Sequence, residues 1–392
     1  MREKKSMFSL PMLCAFAWFG HACGSSFATG RLAVQYCARH GVPGIIGGII
    51  IYILTGIWMY ITLEFGRLVK SKSYRDVVMG VYWDNKVVGN VMCVIWDLVQ
   101  LFSIVVVSGS CISGSGSVLE DALGIDYTLG MVIFVIVLVI LFITSPAVFK
   151  RLGKMAFPLF CLLMIVCVVS IGVGKDNLTA LFAGNVDYVF PEGSGTYGDV
   201  MRDAFLYACT QLGFVGTGSI FAGQFTSRKD TMKAVGVGMV LCGGGLTICT
   251  IATLTIFPAC IDITLPFLSI IKSLGGIGAR VLYVAYIIAL YVAYMSTAGS
   301  LVLSGVSRYG GILNKLIKNE KVTTAILVVV LLCASTIIGK LGLMTIVNKG
   351  YGMLGTLRMP TWYIPVLILG PISIRRVQKK ITANKASESI NE

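Results

Sequence analysis

The chain has 392 residues, of which 56% are hydrophobic and only 13% are charged, and its formal net charge is +14. Long apolar stretches with so few charges exclude an ordinary soluble domain and indicate several membrane-spanning helices. The positive charge does not indicate a nucleic-acid partner, because the basic residues concentrate in alternate loops, as the positive-inside bias of membrane proteins requires.

Ten apolar stretches predict ten transmembrane helices, since about 20 apolar residues suffice to cross a bilayer. They lie at 8–37, 43–66, 87–117, 129–149, 153–174, 199–226, 231–258, 276–305, 322–338 and 357–374. The stretch 340–356 is interrupted by Lys340, Lys349 and several glycines, so we expect an outer loop or a re-entrant helix there.

The distribution of charge predicts a multi-pass protein of the plasma membrane with both termini in the cytoplasm. A smaller set of basic residues, which includes Arg31 and Arg358, is left for the outer side. The spans divide into a first five-helix repeat, an extracellular loop, a second five-helix repeat and a cytoplasmic tail. These segments cover 1–174, 175–198, 199–374 and 375–392. Because five is odd, the second repeat is inverted relative to the first.

A glycine-rich motif interrupts one helix in each repeat. The first reads Gly-Ser-Ser-Phe-Ala-Thr-Gly at 24–30, and the second reads Gly-Ser-Ile-Phe-Ala-Gly at 218–223. Unwound backbone at membrane depth persists only where protein or a water-filled site covers it. Two interruptions in corresponding places therefore predict a solute-binding site near the midplane.

The stretch Gly-Ser-Ser-Phe-Ala-Thr-Gly-Arg at 24–31 resembles the first-helix motif of the YkvI-like membrane proteins, in the amino acid–polyamine–organocation superfamily. The resemblance implies an all-α polytopic protein of the LeuT-type fold, with two inverted five-helix repeats and about ten transmembrane helices. Helices 1 and 6 are broken around the substrate in that fold. It also implies secondary transport, often of amino acids or amines and often driven by sodium or protons. It leaves the substrate open.

A second resemblance concerns sodium. Span 8 reads Ala293-Tyr294-Met295-Ser296-Thr297, which is similar to the Ala-x-x-(Ser/Thr)-(Ser/Thr) pattern of sodium-coupled members of this fold. By that pattern the Ala293 carbonyl and the Ser296 and Thr297 hydroxyls bind the ion with the carbonyls of Gly20 and Cys23. The alternative is that both hydroxyls donate to carbonyls of their own helix. No other cofactor is expected.

The two interruptions supply most of the candidate substrate-binding residues. Gly24, Ser25 and Ser26 lie at the first, where the N–H groups of the half-helix beginning near Phe27 suit a carboxylate. The half-helix before the second interruption ends near Gln211, and its carbonyls suit a cation or an amine. The candidates at this second interruption are Tyr207, Gln211, Gly213 and Gly216.

Three ionisable residues are further candidates. Asp97 is an acid well inside a span, so it could bind an amine or carry a proton, or it could form a structural pair with a hydroxyl or an arginine. His21 adjoins the first interruption and is a possible proton site, or is simply hydrogen-bonded in place. Arg31 is a candidate gate residue with Asp203 or Asp199.

The combined evidence predicts a secondary active transporter that moves a small amino acid-like or amine solute through the lipid bilayer by alternating access, with sodium as the coupled ion. The alternatives are proton coupling, or a channel or sensor on the same fold. No HExxH or Walker A pattern occurs, so neither an intramembrane metalloprotease nor an ATP-driven pump is expected. The sequence does not decide the oligomeric state.

Overall fold

The computed structural model describes residues 8–82, 85–145, 148 and 155–391, without the side chains of residues 25, 156, 312 and 385–391. The described residues form helices and connecting segments, and no strand occurs among them. The α-helices are α1 Leu10–Ala22, α2 Ser25–Ala28, α3 Arg31–Tyr36, α4 Gly47–Leu68, α5 Tyr74–Val81, α6 Lys86–Leu123, α7 Tyr127–Thr144, α8 Ala156–Val173, α9 Lys175–Phe182, α10 Tyr197–Thr210, α11 Val215–Ala222, α12 Arg228–Met239, α13 Gly245–Leu254, α14 Pro266–Ser273, α15 Gly276–Ile317, α16 Glu320–Gly339, α17 Leu343–Thr345, α18 Tyr351–Arg358 and α19 Ile364–Asn391.

The predicted all-α class is confirmed. Within the described residues, eight helical segments are long and apolar enough to cross a membrane, and the bent pair of α8 and α9, which meet at 69°, makes a possible ninth. The helix α1 is apolar but shorter. Each of the ten predicted stretches contains helix, so hydropathy identified the spanning regions even where it misjudged their ends.

Apolar side chains cover the outer faces of several helices. On α4, Ile49, Ile53 and Ile57 are all exposed, and they recur every four residues, which places them on one face. On α7, Ile136 and Ile140 repeat this spacing. Such faces would be unfavourable in water, and they match a protein whose surface contacts lipid.

The first helix is interrupted at the expected place. Its first part, α1, ends at Ala22, and the four-residue helix α2 begins only at Ser25. Gly30 then adopts φ 84°, a left-handed conformation that favours glycine, before α3 begins. The expected half-helix after the break is therefore two short pieces, which lack the long aligned dipole on which a strong anion site at its N-terminus would depend.

The second interruption differs from the prediction. The backbone between α10 and α11 remains helical and only tightens to a 3₁₀ turn at Gln211–Phe214. The second glycine-rich motif begins inside α11 and ends one residue beyond it. Within this helix the Ser219 hydroxyl donates to the carbonyl of Val215 at 2.7 Å. A 3₁₀ turn keeps most backbone groups bonded, so this helix changes pitch without the loop that its glycines suggested.

The stretch 340–356 is neither a loop nor a re-entrant helix, so that expectation was wrong. It forms the first part of a helical run over Leu343–Asn384 that includes π-helical turns at Ile346–Gly350 and Met359–Tyr363. Lys349 is exposed, so its charge need not be buried inside the protein. The run extends the last predicted span by more than ten residues toward its N-terminus.

The packing brings the interrupted first helix to the centre. α1 packs against α12, and α2 packs against α6 and α15. α10 packs against α4 and α18, so the 3₁₀ turn at its end lies beside the last helical run. The short helix at the first break therefore lies between α6 and α15.

Candidate functional site

A small central cavity lies between the first break, α6, the end of α10 and α18. Its volume is about 30 Å³, which is room for one or two water molecules. The lining residues are His21, Ala22, Gly24, Ser26, Phe27, Leu32, Ser103, Val107, Tyr207, Thr210, Gln211, Tyr351 and Arg358. The cavity combines polar groups from both predicted interruptions, as a midplane binding site requires.

The structure brings half of the eight predicted substrate-binding residues together here. Gly24, Ser26, Tyr207 and Gln211 all line the cavity. The Gln211 amide Nε2 donates to the Tyr207 hydroxyl, which fixes the orientation of both side chains. The side chain of Ser25 lies outside what the structure describes.

The two predicted glycines, Gly213 in the 3₁₀ turn and Gly216 in α11, have different surroundings. A Cβ placed on Gly213 would lie 3.1 Å from His21 Nε2 and 3.1 Å from Arg358 Nη2, so this glycine lets two nitrogen groups approach the backbone. Gly216 does not line the cavity, and a Cβ there would meet nothing within 4 Å. The structure therefore does not bring Gly216 to this cavity, because Gly216 lies on another face of α11.

A polar chain joins the first break to α6 and α18. The Ser26 hydroxyl donates to the Tyr351 hydroxyl at 3.1 Å, and Tyr351 in turn contacts the Ser110 hydroxyl at 3.0 Å. The Thr210 hydroxyl is 2.9 Å from the Tyr351 carbonyl, to which it donates. A movement of α18 would therefore change the hydrogen bonds at the first break.

Asp97 does not line the cavity. Its carboxylate is held by both arms of Arg308, whose Nε donates to Oδ1 at 2.9 Å, and its backbone carbonyl accepts from Tyr309 at 2.8 Å. The pair is partly exposed, with side-chain accessibilities of 18% and 32%. In this structure Asp97 thus forms the pair with an arginine that was the alternative to an amine-binding or proton-carrying role, and this pair links α6 to α15.

Arg358 is buried, although the charge pattern of the sequence predicts a position on the outer side. Its side chain is only 1% exposed and lines the central cavity. Its Nη1 donates to the Thr210 carbonyl, at the last residue of α10, and its Nη2 donates to Gln100 Oε1 at 3.2 Å. Its guanidinium carbon also lies 5.7 Å from the centre of the Trp96 ring, a cation–π contact.

The carbonyl end of α10 therefore already has a cation. The sequence predicted that these carbonyls would suit a substrate amine, because the C-terminal end of a helix carries partial negative charge. In the structure the guanidinium of Arg358 occupies this end of α10 and donates a hydrogen bond to the Thr210 carbonyl. The physical expectation was sound, but the partner is the protein's own side chain.

His21 also lines the cavity, beside the first break. Its ring centre lies 5.9 Å from that of Phe214, at an interplanar angle of 51°. Beside the guanidinium of Arg358, it adds an imidazole ring that can donate or accept a hydrogen bond. The cavity has no compensating acid, since none of its described lining residues is Asp or Glu.

A second, smaller cavity contains every predicted sodium ligand. Gly20, Cys23, Ala293, Ser296 and Thr297 line it together with Met155, Leu159 and Val292, and its volume is about 10 Å³. α1 ends at Ala22, so carbonyls in its last turn and at the break lack the usual helical donors. Cys23 N still donates to the Phe19 carbonyl at 2.7 Å.

The Ser296 and Thr297 hydroxyls do not bond back to their own helix. Neither makes a hydrogen bond with any residue that the structure describes, although the Thr297 carbonyl accepts from the Ser300 hydroxyl at 3.0 Å. Other hydroxyls in the same protein do bond back, such as Thr55 to the Ile51 carbonyl at 2.8 Å. The residues fit a sodium ion, which prefers oxygen ligands, and the back-bonding alternative is not what this conformation shows.

A separate charged network surrounds Asp203 in the first half of α10. Asp203 lies 3.0 Å from Arg202 Nη2, 3.6 Å from Arg39 Nε and 3.2 Å from His40 Nε2. Arg31, the predicted gate partner, instead donates through Nη1 to the carbonyl of Ile261 at 2.6 Å. The sequence found the acid of this network but assigned it the wrong arginine.

Comparison with solved structures identifies the fold. Over 91% of this chain and 79% of the other, it matches a sodium-coupled sialic acid symporter in a substrate-bound outward-open state, with a TM-score of 0.61 and 13% identity. It also matches MhsT bound to L-phenylalanine, with a TM-score of 0.56 and 16% identity over 93% of this chain and 97% of that one. A manganese transporter of Eremococcus coleocola gives 0.57 and 11% over 96% and 87%. These proteins are membrane transporters rather than enzymes, and the chain has their LeuT-type fold.

Among curated proteins, the chain is similar to the uncharacterized membrane protein YkvI of Bacillus subtilis strain 168, with 27% identity over 122 residues. The match covers 30% of this chain and about a third, 33%, of that protein. No protein-family model matches the chain. The chain is therefore a multi-pass membrane protein of the LeuT-type fold that resembles YkvI over part of its length.

Proposed function

We propose that the protein is a secondary transporter that moves a small solute by alternating access and couples this movement to sodium. We place it in the plasma membrane with both termini in the cytoplasm, as the distribution of basic loops predicts. The observation that carries the proposal is the meeting of the five candidate sodium ligands in one ion-sized cavity beside the central cavity.

The two cavities share the first break. Gly20 and Cys23 line the smaller one, whereas His21, Gly24 and Ser26 line the larger one, so successive residues face opposite sites. A Cβ on Gly24 would lie 3.1 Å from the Thr297 side chain, which shows how closely the break and α15 approach. An ion that orders this segment also orders one wall of the solute site, which supplies the coupling free energy between the two.

A sodium ion at the smaller cavity is better supported as the coupled ion than a proton carried by Asp97. Asp97 is held by Arg308 through two hydrogen bonds and does not line the central cavity, so it is not positioned to exchange a proton with a solute there. The hydroxyls at the smaller cavity, in contrast, make no bond with any described residue and can bind a cation. The likeness to a sodium-coupled symporter supports the same choice.

Uptake by proteoliposomes tests the proposal. The full chain is reconstituted with potassium inside and sodium outside, and is supplied with a mixture of isotope-labelled amino acids and small carboxylic acids. We expect at least one compound to accumulate above its outside concentration, and to leak out when an ionophore collapses the sodium gradient. Uptake that only reaches equilibrium would indicate a channel, and no uptake in any gradient would indicate a sensor.

A further inference from the structure

Arg358 is a fully buried cation in the central cavity with no acidic partner. None of the ion pairs among the described residues includes it, and none of the described cavity residues is acidic. An isolated buried charge is costly, and ionisable groups at membrane depth are most often functional. Because burying this charge is unfavourable, we expect a negatively charged group to bind beside it.

The protein compensates the guanidinium only in part. A guanidinium has five N–H donors. One goes to the Thr210 carbonyl and one goes to Gln100 Oε1, which is a neutral amide oxygen. The Nε group is buried and has no hydrogen-bond partner among the described residues. Donor capacity and a full positive charge therefore remain beside the cavity.

The remainder of the cavity favours the same ligand chemistry. His21 and Ser103 offer a ring nitrogen and a hydroxyl group that can donate to an anion. The carbonyl of Thr210, which would otherwise attract an ammonium group, already accepts from Arg358. An amine in this cavity would meet a positive charge and no carboxylate, whereas a carboxylate would meet its preferred partner.

We propose that Arg358 binds the carboxylate of the transported solute, so that the protein selects small carboxylate anions and does not require an amino group. This inference rests on the proposed function, because it names the substrate class of that same site. It replaces the amine option that the sequence left open. In this conformation the central cavity has room for only one or two water molecules, so binding of the solute requires the cavity to widen.

Three matched pairs of compounds test the inference on the purified full chain. They are propionate and propionamide, lactate and lactamide, and L-alanine and L-alaninamide, each at 20 mM in constant sodium chloride. Thermal unfolding reports binding, since a ligand of the folded state raises the unfolding temperature. We expect at least one carboxylate to stabilise the protein, with its amide at least tenfold weaker.

Variants assign the effect to Arg358. Arg358→Gln should abolish the shift caused by the carboxylate, and Arg358→Lys, which keeps the charge but loses the two-pronged donor geometry, should weaken it. Arg31→Gln is a matched control, because Arg31 is also buried, at 2% exposed, but does not line the central cavity. It should retain the wild-type shift. Sodium-dependent stabilisation should persist in all of them, which shows that each variant is folded.

Three results would overturn the assignment: equal binding of the amides, full carboxylate binding by Arg358→Gln, or no shift from any carboxylate. If Arg358→Gln does not fold, wild-type affinity in Arg358→Lys overturns it instead. The proposed transport can fail separately. Carboxylate binding that depends on Arg358 without sodium-driven accumulation would leave the anion site in place and reject coupled transport.

Discussion

Replacing the two free hydroxyls at the small cavity should remove the response of the protein to sodium. The variant is Ser296→Ala combined with Thr297→Val, which deletes both oxygens while keeping the branched shape of Thr297. That shape matters because the Thr297 methyl group lies 3.1 Å from where a Cβ of Gly24 would be. Thr297→Ser is the matched control, since it keeps the hydroxyl and loses the methyl.

The expected size follows from linkage and from the number of ligands. Sodium at a hundred times its dissociation constant stabilises the folded state by about 2.7 kcal/mol. Each hydroxyl is one of five expected oxygens, and a hydrogen-bond-like contact to a charge contributes about 1.5–3 kcal/mol. A hundredfold weaker site would retain only about 0.4 kcal/mol at the same sodium concentration.

The assay is thermal unfolding of the purified protein in sodium chloride against choline chloride. At about 2 °C per kcal/mol, the wild-type protein should gain roughly 5 °C in sodium and the double variant less than about 1 °C. Thr297→Ser should keep most of the gain. A double variant that responds to sodium as the wild type does would show that these hydroxyls are not ligands.

Three further outcomes are expected. Asp97→Asn should destabilise the protein by roughly 1–3 kcal/mol in denaturant or thermal unfolding, because Arg308 loses its carboxylate; carboxylate binding should persist, and its loss would return Asp97 to the site. Gly213→Ala should weaken carboxylate binding by about tenfold in titrations, because its Cβ would lie 3.1 Å from Nη2 of Arg358; unchanged affinity would place the ligand elsewhere. Gly30→Ala should cost more than about 1 kcal/mol of unfolding free energy, because Gly30 has φ 84° and its Cβ position faces a phenyl ring at 3.1 Å; wild-type stability would contradict this.

The sequence was most informative where one physical signal dominates. Apolar runs such as 129–149 must be helical in lipid, so their position could be predicted from hydropathy alone. The stretch 340–356 has a mixed signal, because its lysines and glycines resemble those of a loop. The structure keeps it helical with a π turn at Ile346–Gly350 and leaves Lys349 exposed. Such local accommodation depends on neighbouring helices, which a single stretch does not reveal.

The residues of the candidate site could likewise be predicted only in part. Residues within one short motif, such as Ser296 and Thr297, could be named because their spacing alone places them near one face of a helix. Arg358 could not, because its depth depends on the helical run beginning fifteen residues earlier, at Leu343. The partner of Asp97 lies 211 residues away in the chain, on α15, and nothing local predicts that contact.

The uncompensated guanidinium of Arg358 also bears on the electrical behaviour of the proposed cycle. The charge belongs to the protein and returns with it, so one sodium ion and one monovalent carboxylate carried together move no net charge. Membrane voltage is worth about 2.3 kcal/mol per elementary charge per 100 mV, and such a cycle would not draw on it. Accumulation would then follow the sodium concentration ratio alone, and a potassium diffusion potential across the vesicle membrane would leave the final solute ratio unchanged.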